Sequence, residues 1–346
     1  MDVRLSAEQE ALRDSAAQVV DRLAPQVVGQ IGQAERTARL DAAVVVSGWL
    51  ELRSANDDGR PLASGVEAAL VAEELGRGVA DTPYFGPTMA LELRRLSGAP
   101  EGEGGETVAF DPALRSIVVS SNGVGAPGIA IDAAAAGTAL LLIAEVGGYR
   151  LAQVDLVGER GGPDLTRPAV RIDPAWTVRA VEGADRPISE NALAGWRALG
   201  LALSCADLVG IMRGAVRLAC DYAAQRRQYG AAIGSFQAVQ HLLADAFVVM
   251  EGSGSVALHA AWAADALPGG DAVAAAVMAK AYCARSARTV CETAIQVHGG
   301  IGNTWECMAH VYLRRALLSS DILGDDRDCL AQVLEHQGIG GRHGLR

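Results

Sequence analysis

The chain has 346 residues, a net charge of −11 and a pI near 5.1, which excludes a general polyanion-binding surface for DNA or RNA and leaves only local basic sites open. Half of the residues are hydrophobic but only 4% are aromatic, so Ala, Leu, Val and Gly must fill the interior, a composition suited to closely packed helices. The apolar run 133–144 is too short to span a bilayer, and the Met1-Asp2-Val3 start lacks the basic and apolar segments of a secretion signal; a cytoplasmic protein without a membrane partner is expected.

Ser6, followed by Glu8 and Glu10, reads as an N-cap with acidic residues in the first turn and predicts a helix to about Leu23, before Pro25. A second helix is predicted over 41–53, where Trp49, Leu50 and Leu52 supply apolar contacts. A third is predicted over 65–77, with Val66, Ala69, Leu70, Ala72 and Leu75 at helical spacing. Thr82-Pro83 favours extended backbone, and helix resumes over 87–97. The stretch 98–106, rich in Gly, Glu and Pro, reads as a linker.

From 107 to 181 short β-type runs appear at 116–120, 128–131, 139–144, 149–154 and 169–172, separated by Gly, Pro and Asp, as in a small, mostly antiparallel β region. After 188 the chain is helical: 190–228, 237–266, 271–299, 304–323 and a short helix over 327–336. The first three carry apolar residues on more than one face, as helices of bundles or oligomer interfaces do. The expected fold is mainly α with a small β domain: an N-terminal helical domain over 1–104, a middle β domain over 105–188 and a C-terminal four-helix bundle over 189–346. The cysteines at 205, 220, 283, 291, 307 and 329 form no C-x-x-C pair, lie in helical segments and read as buried free thiols.

Two segments carry chemistry. In the first, Arg226-Arg227-Gln228-Tyr229-Gly230 ends a long helix, and Ile233-Gly234-Ser235-Phe236-Gln237 begins the next, with Ser235 as the expected cap. Arg226 and Gln237 thus meet at facing helix ends, where a guanidinium fork and an amide suit a pyrophosphate and its nucleotide; a solvated helix–turn–helix corner is the alternative. In the second, Gln296-Val297-His298-Gly299-Gly300-Ile301-Gly302 is glycine-rich and is expected to open a new helix at once, either as a simple turn or with amides free for an anion.

Together, R-x-Q-[FY]-G-x-x-I-G-S-F-Q and Q-x-H-G-G-x-G-x-T-W-E resemble the C-terminal domain of acyl-CoA dehydrogenases, over about residues 206–315; the N-terminal helices and small β region resemble that family in order and length. The resemblance implies FAD bound across a subunit interface. Arg226 and Gln237 would contact the diphosphate and ADP portion, Tyr229 would pack beside them, and Gln296, Gly299 and Gly300 would close around the nucleotide end from a neighbouring subunit. In full enzymes of the family a glutamate takes the proton α to the thioester carbonyl while a hydride passes to the flavin.

The sequence departs from that pattern. In many members the glutamate stands just before a glycine downstream of the H-G-G turn, a place held here by Leu323 before Gly324; a second group keeps it on the helix before the R-x-Q motif, a place held here by Gly200. No T-E-P-x-x-G-S-D motif, which holds the flavin ring in the family, occurs between Gly98 and Pro168, so the β domain is a reduced one. No catalytic residue is therefore assigned. The expectation is a chain that completes the FAD site of a homologous catalytic subunit, in an α2β2 assembly like those of actinobacterial steroid catabolism, with acyl-CoA as substrate and electron-transfer flavoprotein as acceptor. A homomeric enzyme (self-dimer) using another carboxylate such as Asp321, and a flavin-free scaffold, remain the alternatives.

Overall fold

The computed structural model describes residues 4–102, 104–120 and 125–339. The Met1-Asp2-Val3 start, residue 103 of the expected linker and the end of the expected bundle, 340–346, lie outside the described residues.

Helix α1 (Ala7–Leu23) starts in a reciprocal capping box: the Gln9 amide donates to Ser6 Oγ (3.2 Å) and the Ser6 amide to Gln9 Oε1 (3.0 Å). Helix α2 spans Ala34–Val46 rather than 41–53. Gly48, at φ 68°, ends it, and Trp49 is buried from a separate short turn, Trp49–Glu51. Apolar spacing alone did not reveal that break, because a left-handed glycine lets the chain bury Trp49 without continuing the helix. Helices α3 (Gly65–Arg77) and α4 (Phe85–Ser97) follow, the first from a second capping box, Ser64 with Glu67, and the second closed by left-handed Gly98.

The sheet is built from β1 (Gly105–Phe110), β2 (Val119–Ser120), β3 (Gly128–Ala130), β4 (Ala136–Glu145), β5 (Gly148–Asp155), β6 (Val170–Ile172) and β7 (Arg179–Ala180). Its order is β6-β3-β1-β4-β5-β7, with β2 also pairing β4. The pairings β1–β3, β3–β6, β4–β5 and β5–β7 are antiparallel, whereas β1–β4 and β2–β4 are parallel. Two strands were missed. The first, β1, begins inside the glycine-rich stretch read as linker, and β7 is an exposed two-residue edge without apolar alternation. Along β4 the period-2 pattern splits two cores: Leu140 and Leu142 join the main helical core, and Ala139 and Leu141 face a smaller cluster on the opposite side of the sheet.

Helix α5 (Glu190–Gln225) is capped by Ser189 and runs through the centre of the molecule. Among the described residues it is the only helix long and apolar enough to cross a membrane, but 94% of its apolar window is buried among the other elements, as in a core helix. It ends at Gln225 because the chain turns into a tight hairpin, β8 (Arg227–Gln228) with β9 (Ala231–Ala232). Helices α6 (Gln237–Ala266) and α7 (Gly269–His298) pack along it, followed by α8 (Ala309–Asp321) and α9 (Asp326–His336), whose N-cap carboxylate is Asp325. The main core runs without a gap from α1 through the sheet's inner face to α9. All six cysteines are free thiols; Cys220, against expectation, is exposed on the outer face of α5.

Candidate functional site

The end of α5, the start of α6 and the end of α7 lie together. Helix α6 returns along α5 and α7 returns along α6, so the three termini share one end of the bundle, where Tyr222 of α5 stacks on His298 of α7 with ring centroids 4.4 Å apart. The Ile233 amide donates to the Arg226 carbonyl (2.8 Å), tying the hairpin shut, and the His298 Nδ1 lies 2.7 Å from the Ala294 carbonyl. Both motifs are thus brought to one place by helices whose other residues are core.

Arg226 caps α5 with extended backbone, Gln237 is the first residue of α6, and Gln296 lies in the last turn of α7; all three are exposed. No side-chain hydrogen bond or ion pair to another described residue occupies Arg226, Gln237 or Gln296. Tyr229 is 95% exposed, at φ 52°, with only the edge of Phe236 against it (6.3 Å). Gly299, at φ 66°, and Gly300 face open space. Two local expectations change. Ser235 does not cap α6; its hydroxyl donates to the Ala232 carbonyl (2.7 Å), and Phe236 takes the cap position without a side-chain bond. Nor does a helix open directly after Gly300: a 3₁₀ turn, Gly299–Asn303, intervenes and α8 starts only at Ala309, so the glycine-rich turn does not itself form the N-terminus of a following helix. What remains is an unpaired guanidinium, two amide side chains and bare glycine backbone, a donor set that fits an anionic diphosphate with an attached nucleotide.

Gly200 and Leu323, far apart in sequence, meet inside the molecule. A Cβ placed on Gly200 would lie 2.5 Å from Leu323 Cδ1 and 3.0 Å from Met89 Cε. Leu323 is 1% exposed and held at φ 63°, where its amide donates to the Leu114 carbonyl (2.6 Å). The bend is set by Lys280, the chain's only lysine, which is fully buried. Its Nζ donates to Ser204 Oγ (2.8 Å) and to the carbonyls of Ser319 (2.6 Å) and Ile322 (2.8 Å), at the electronegative end of α8. Burial pushes the Lys280 ammonium below its ordinary pKa. Sequence reading passed over this residue, although a lone lysine within an alanine-rich buried stretch is a signal of a specific acceptor set. Asp321 points elsewhere. It lies on the exposed side of α8, its carboxyl raised above the ordinary value by burial, with the Lys280 charge opposing and Asp325 adding to the rise.

A polar network joins the regions around this point. Arg167 donates to Asp132 (2.7 and 3.1 Å) and Ser319 (3.0 Å), and Arg315 to Asp207 (2.6 Å), Thr166 (3.2 Å) and the Ala80 carbonyl (2.7 Å). Ser319 donates to Asp207 (2.6 Å), and the Gly86 amide to Asp132 (2.8 Å). Burial alone would raise the Asp132 carboxyl; the Arg167 charge outweighs it and holds the group below its ordinary value.

Residues 199–333 match the family model described as acyl-CoA dehydrogenase, C-terminal domain. Over 344 residues the chain is 28% identical to acyl-CoA dehydrogenase IpdE2 of Mycolicibacterium smegmatis, covering 95% of this chain and 98% of that protein. Among solved structures, a variant of the Tcur3481–Tcur3483 steroid ACAD superposes with a TM-score of 0.77 at 22% identity, covering 96% of this chain and 98% of that one. The ChsE4–ChsE5 complex from Mycobacterium tuberculosis superposes with a TM-score of 0.71 at 20% identity, covering 98% and 99%. The order of helices, small sheet and bundle, the two motifs and these matches agree: residues 199–333 form an acyl-CoA dehydrogenase C-terminal domain, and the chain as a whole is similar to acyl-CoA dehydrogenases, FAD-dependent oxidoreductases.

Proposed function

We propose that this chain is the non-catalytic subunit of a heteromeric acyl-CoA dehydrogenase and completes the FAD site of a homologous catalytic partner. The observation that carries the reading is the Gly200–Leu323 contact. The two places where the family resemblance puts the base converge in space, and both they and Met89 beside them are apolar, so nothing there can accept a proton. The bundle end, by contrast, keeps its polar groups unpaired.

FAD, when bound, accepts the hydride in α,β-dehydrogenation of an acyl-CoA thioester. In this chain Arg226 would neutralise the diphosphate and Gln237 hydrogen-bond the ADP portion. Gln296 and the bare backbone of Gly299 and Gly300 would close on the nucleotide end, with Tyr229 packed against it. A second chain is also supported by an uncovered apolar face on α6 and α7. Phe247, Val248, Met278 and Tyr282 are 51%, 68%, 45% and 44% exposed, and Tyr282 leans over Gly252 of α6. An α2β2 assembly covers that face, and the two-chain naming of the ChsE4–ChsE5 complex agrees with it. The steroid ACAD among the fold neighbours supports a steroid- or lipid-derived acyl group; in this reading an electron-transfer flavoprotein is the acceptor and the cytoplasm the compartment.

Purified alone, the chain is expected to hold FAD weakly and oxidise no acyl-CoA; co-expression with a homologue encoded beside it restores both flavin absorbance and turnover. Stoichiometric FAD with turnover by the isolated homodimer overturns the proposal. A homomeric enzyme using Asp321, whose raised carboxyl favours that role, is separated by Asp321→Asn, which abolishes turnover only if Asp321 is the base.

A further inference from the structure

At the bundle end the hairpin and the glycine turn are not bonded to each other. Among the described residues no hydrogen bond or ion pair crosses between residues 226–236 and the turn Gly299–Asn303. What spans them is a pair of rings. Tyr222 stands in the last turn of α5 and His298 closes α7, stacked with centroids 4.4 Å apart and planes at 25°.

Each ring is tied to one motif. The Tyr222 carbonyl accepts the Arg226 amide (2.8 Å), so the ring and the Arg226 corner share one turn of helix. His298 immediately precedes Gly299, and the turn folds back over it: a Cβ on Gly302 would lie 3.1 Å from His298 Cβ. The His298 ring is buried and fixed a second time by its Nδ1–H, which donates to the Ala294 carbonyl (2.7 Å). No other side chain in the last turn of α5 can take this place. Ala224 and Gln225 are exposed, and Ala223 is small and already covered by the hairpin, where a Cβ on Gly234 would lie 3.1 Å from its carbonyl.

An anion gripped from two sides makes such a spacer matter. Charge-assisted hydrogen bonds hold only over a narrow range of distance, and a binding group has to be kept within about 0.5 Å of its productive place by residues that do not touch the ligand. We propose that Tyr222 and His298 are positioning residues: their stack sets the spacing between Arg226 and the Gly299–Gly300 backbone, so that both reach one diphosphate-linked nucleotide at once. The inference rests on the bundle end being a nucleotide site, and it adds what makes two motifs into one site.

The test is flavin release from the co-expressed complex on dilution, followed by the fluorescence of the freed flavin. Tyr222→Leu is expected to speed release up to about tenfold, the upper range for loss of an aromatic pair. Tyr222→Phe keeps the ring, drops only the hydroxyl and releases at the wild-type rate. His298→Leu reproduces the loss from the other side. In an Arg226→Ala background Tyr222→Leu is expected to add almost nothing, because a ligand no longer held by Arg226 has no spacing to satisfy. Circular dichroism and the urea midpoint of the isolated chain accompany each variant. Additive losses in the Arg226→Ala background overturn the proposal, since the rings then serve only the fold. Loss by Tyr222→Phe equal to that by Tyr222→Leu also overturns it, since the hydroxyl and not the stack is then at work. If Arg226→Ala speeds release and Tyr222→Leu does not, this inference alone falls; if Arg226→Ala leaves release unchanged, the nucleotide site falls and the inference with it.

Discussion

The buried face of α8 and the end of the bundle pose opposite problems. Around Asp207, Arg315, Arg167 and Ser319 every charge is buried and answered within the chain, so folding alone dictates the geometry. Around Arg226, Gln237, Gln296 and Gly299 the polar groups are exposed, the backbone is open, and nothing internal holds the side chains. The first arrangement is complete by itself; the second has a shape that the fold does not need. An unpaired set of this kind, fixed in place by core helices, is what a chain displays when the missing half of its site belongs to something else.

The largest effect should come from breaking the complete side. Arg315→Met leaves Asp207 buried beside only Ser319 and the more distant Arg167 (3.6 Å), an uncompensated carboxylate of the kind that costs about 3–5 kcal/mol. Urea unfolding is expected to show that loss. A change below about 1 kcal/mol would mean that water reaches the junction and that the contrast between the two regions is weaker than their burial indicates.

The next effect concerns the apolar plug. Gly200→Ala puts a methyl 2.5 Å from Leu323, an overpacking that costs about 1–3 kcal/mol. Leu323→Ala makes room for it, so the double variant is expected to be more stable than the sum of the two single changes allows. Additive losses would show that Gly200 and Leu323 do not share one space.

The same contrast governs what the sequence disclosed. The order of helices, sheet and bundle was legible because long apolar periodicities, and a cap such as Ser6, act within a few residues. Arg226, Gln237 and Gln296 drew attention because they stand in two short motifs, and the fold gathers those motifs at one end of the bundle. Where structure depends on a single backbone angle, reading failed: Gly48 stops α2 early, and the 3₁₀ turn after Gly300 delays α8. The Tyr222–His298 stack was invisible, because its two rings come from α5 and α7 and meet only on folding. Lys280 was passed over although it is the chain's lone lysine, because its three acceptors lie far away in sequence, on α5 and at the end of α8.

A smaller effect is expected from His310, on the buried face of α8. Burial, then the Arg314 charge, lowers its folded pKa, so the folded chain binds the proton less readily than the unfolded chain, and stability falls as pH drops through the unfolded value near 6.5. The fall continues until the folded pKa is reached. His310→Gln removes this contribution, so its urea midpoint should decline less than that of wild type between pH 8 and pH 5. Parallel declines would place the ring in solvent rather than on the buried face of α8.

The smallest stability effect should belong to the most consequential residue at the bundle end. Arg226→Ala removes an exposed side chain with no internal partner, so unfolding free energy is expected to stay within about 0.5 kcal/mol of wild type. Flavin retained by the co-expressed complex should nevertheless fall about tenfold or more on dilution, because a charge-assisted contact to the diphosphate is lost. Arg226→Lys should recover only part of it, since an ammonium keeps the charge but not the two-pronged geometry. If Arg226→Ala destabilises the isolated chain as Arg315→Met does, the guanidinium serves the fold and the proposed division between the two regions fails; if stability and flavin retention are both unchanged, this end of the bundle does not grip the cofactor.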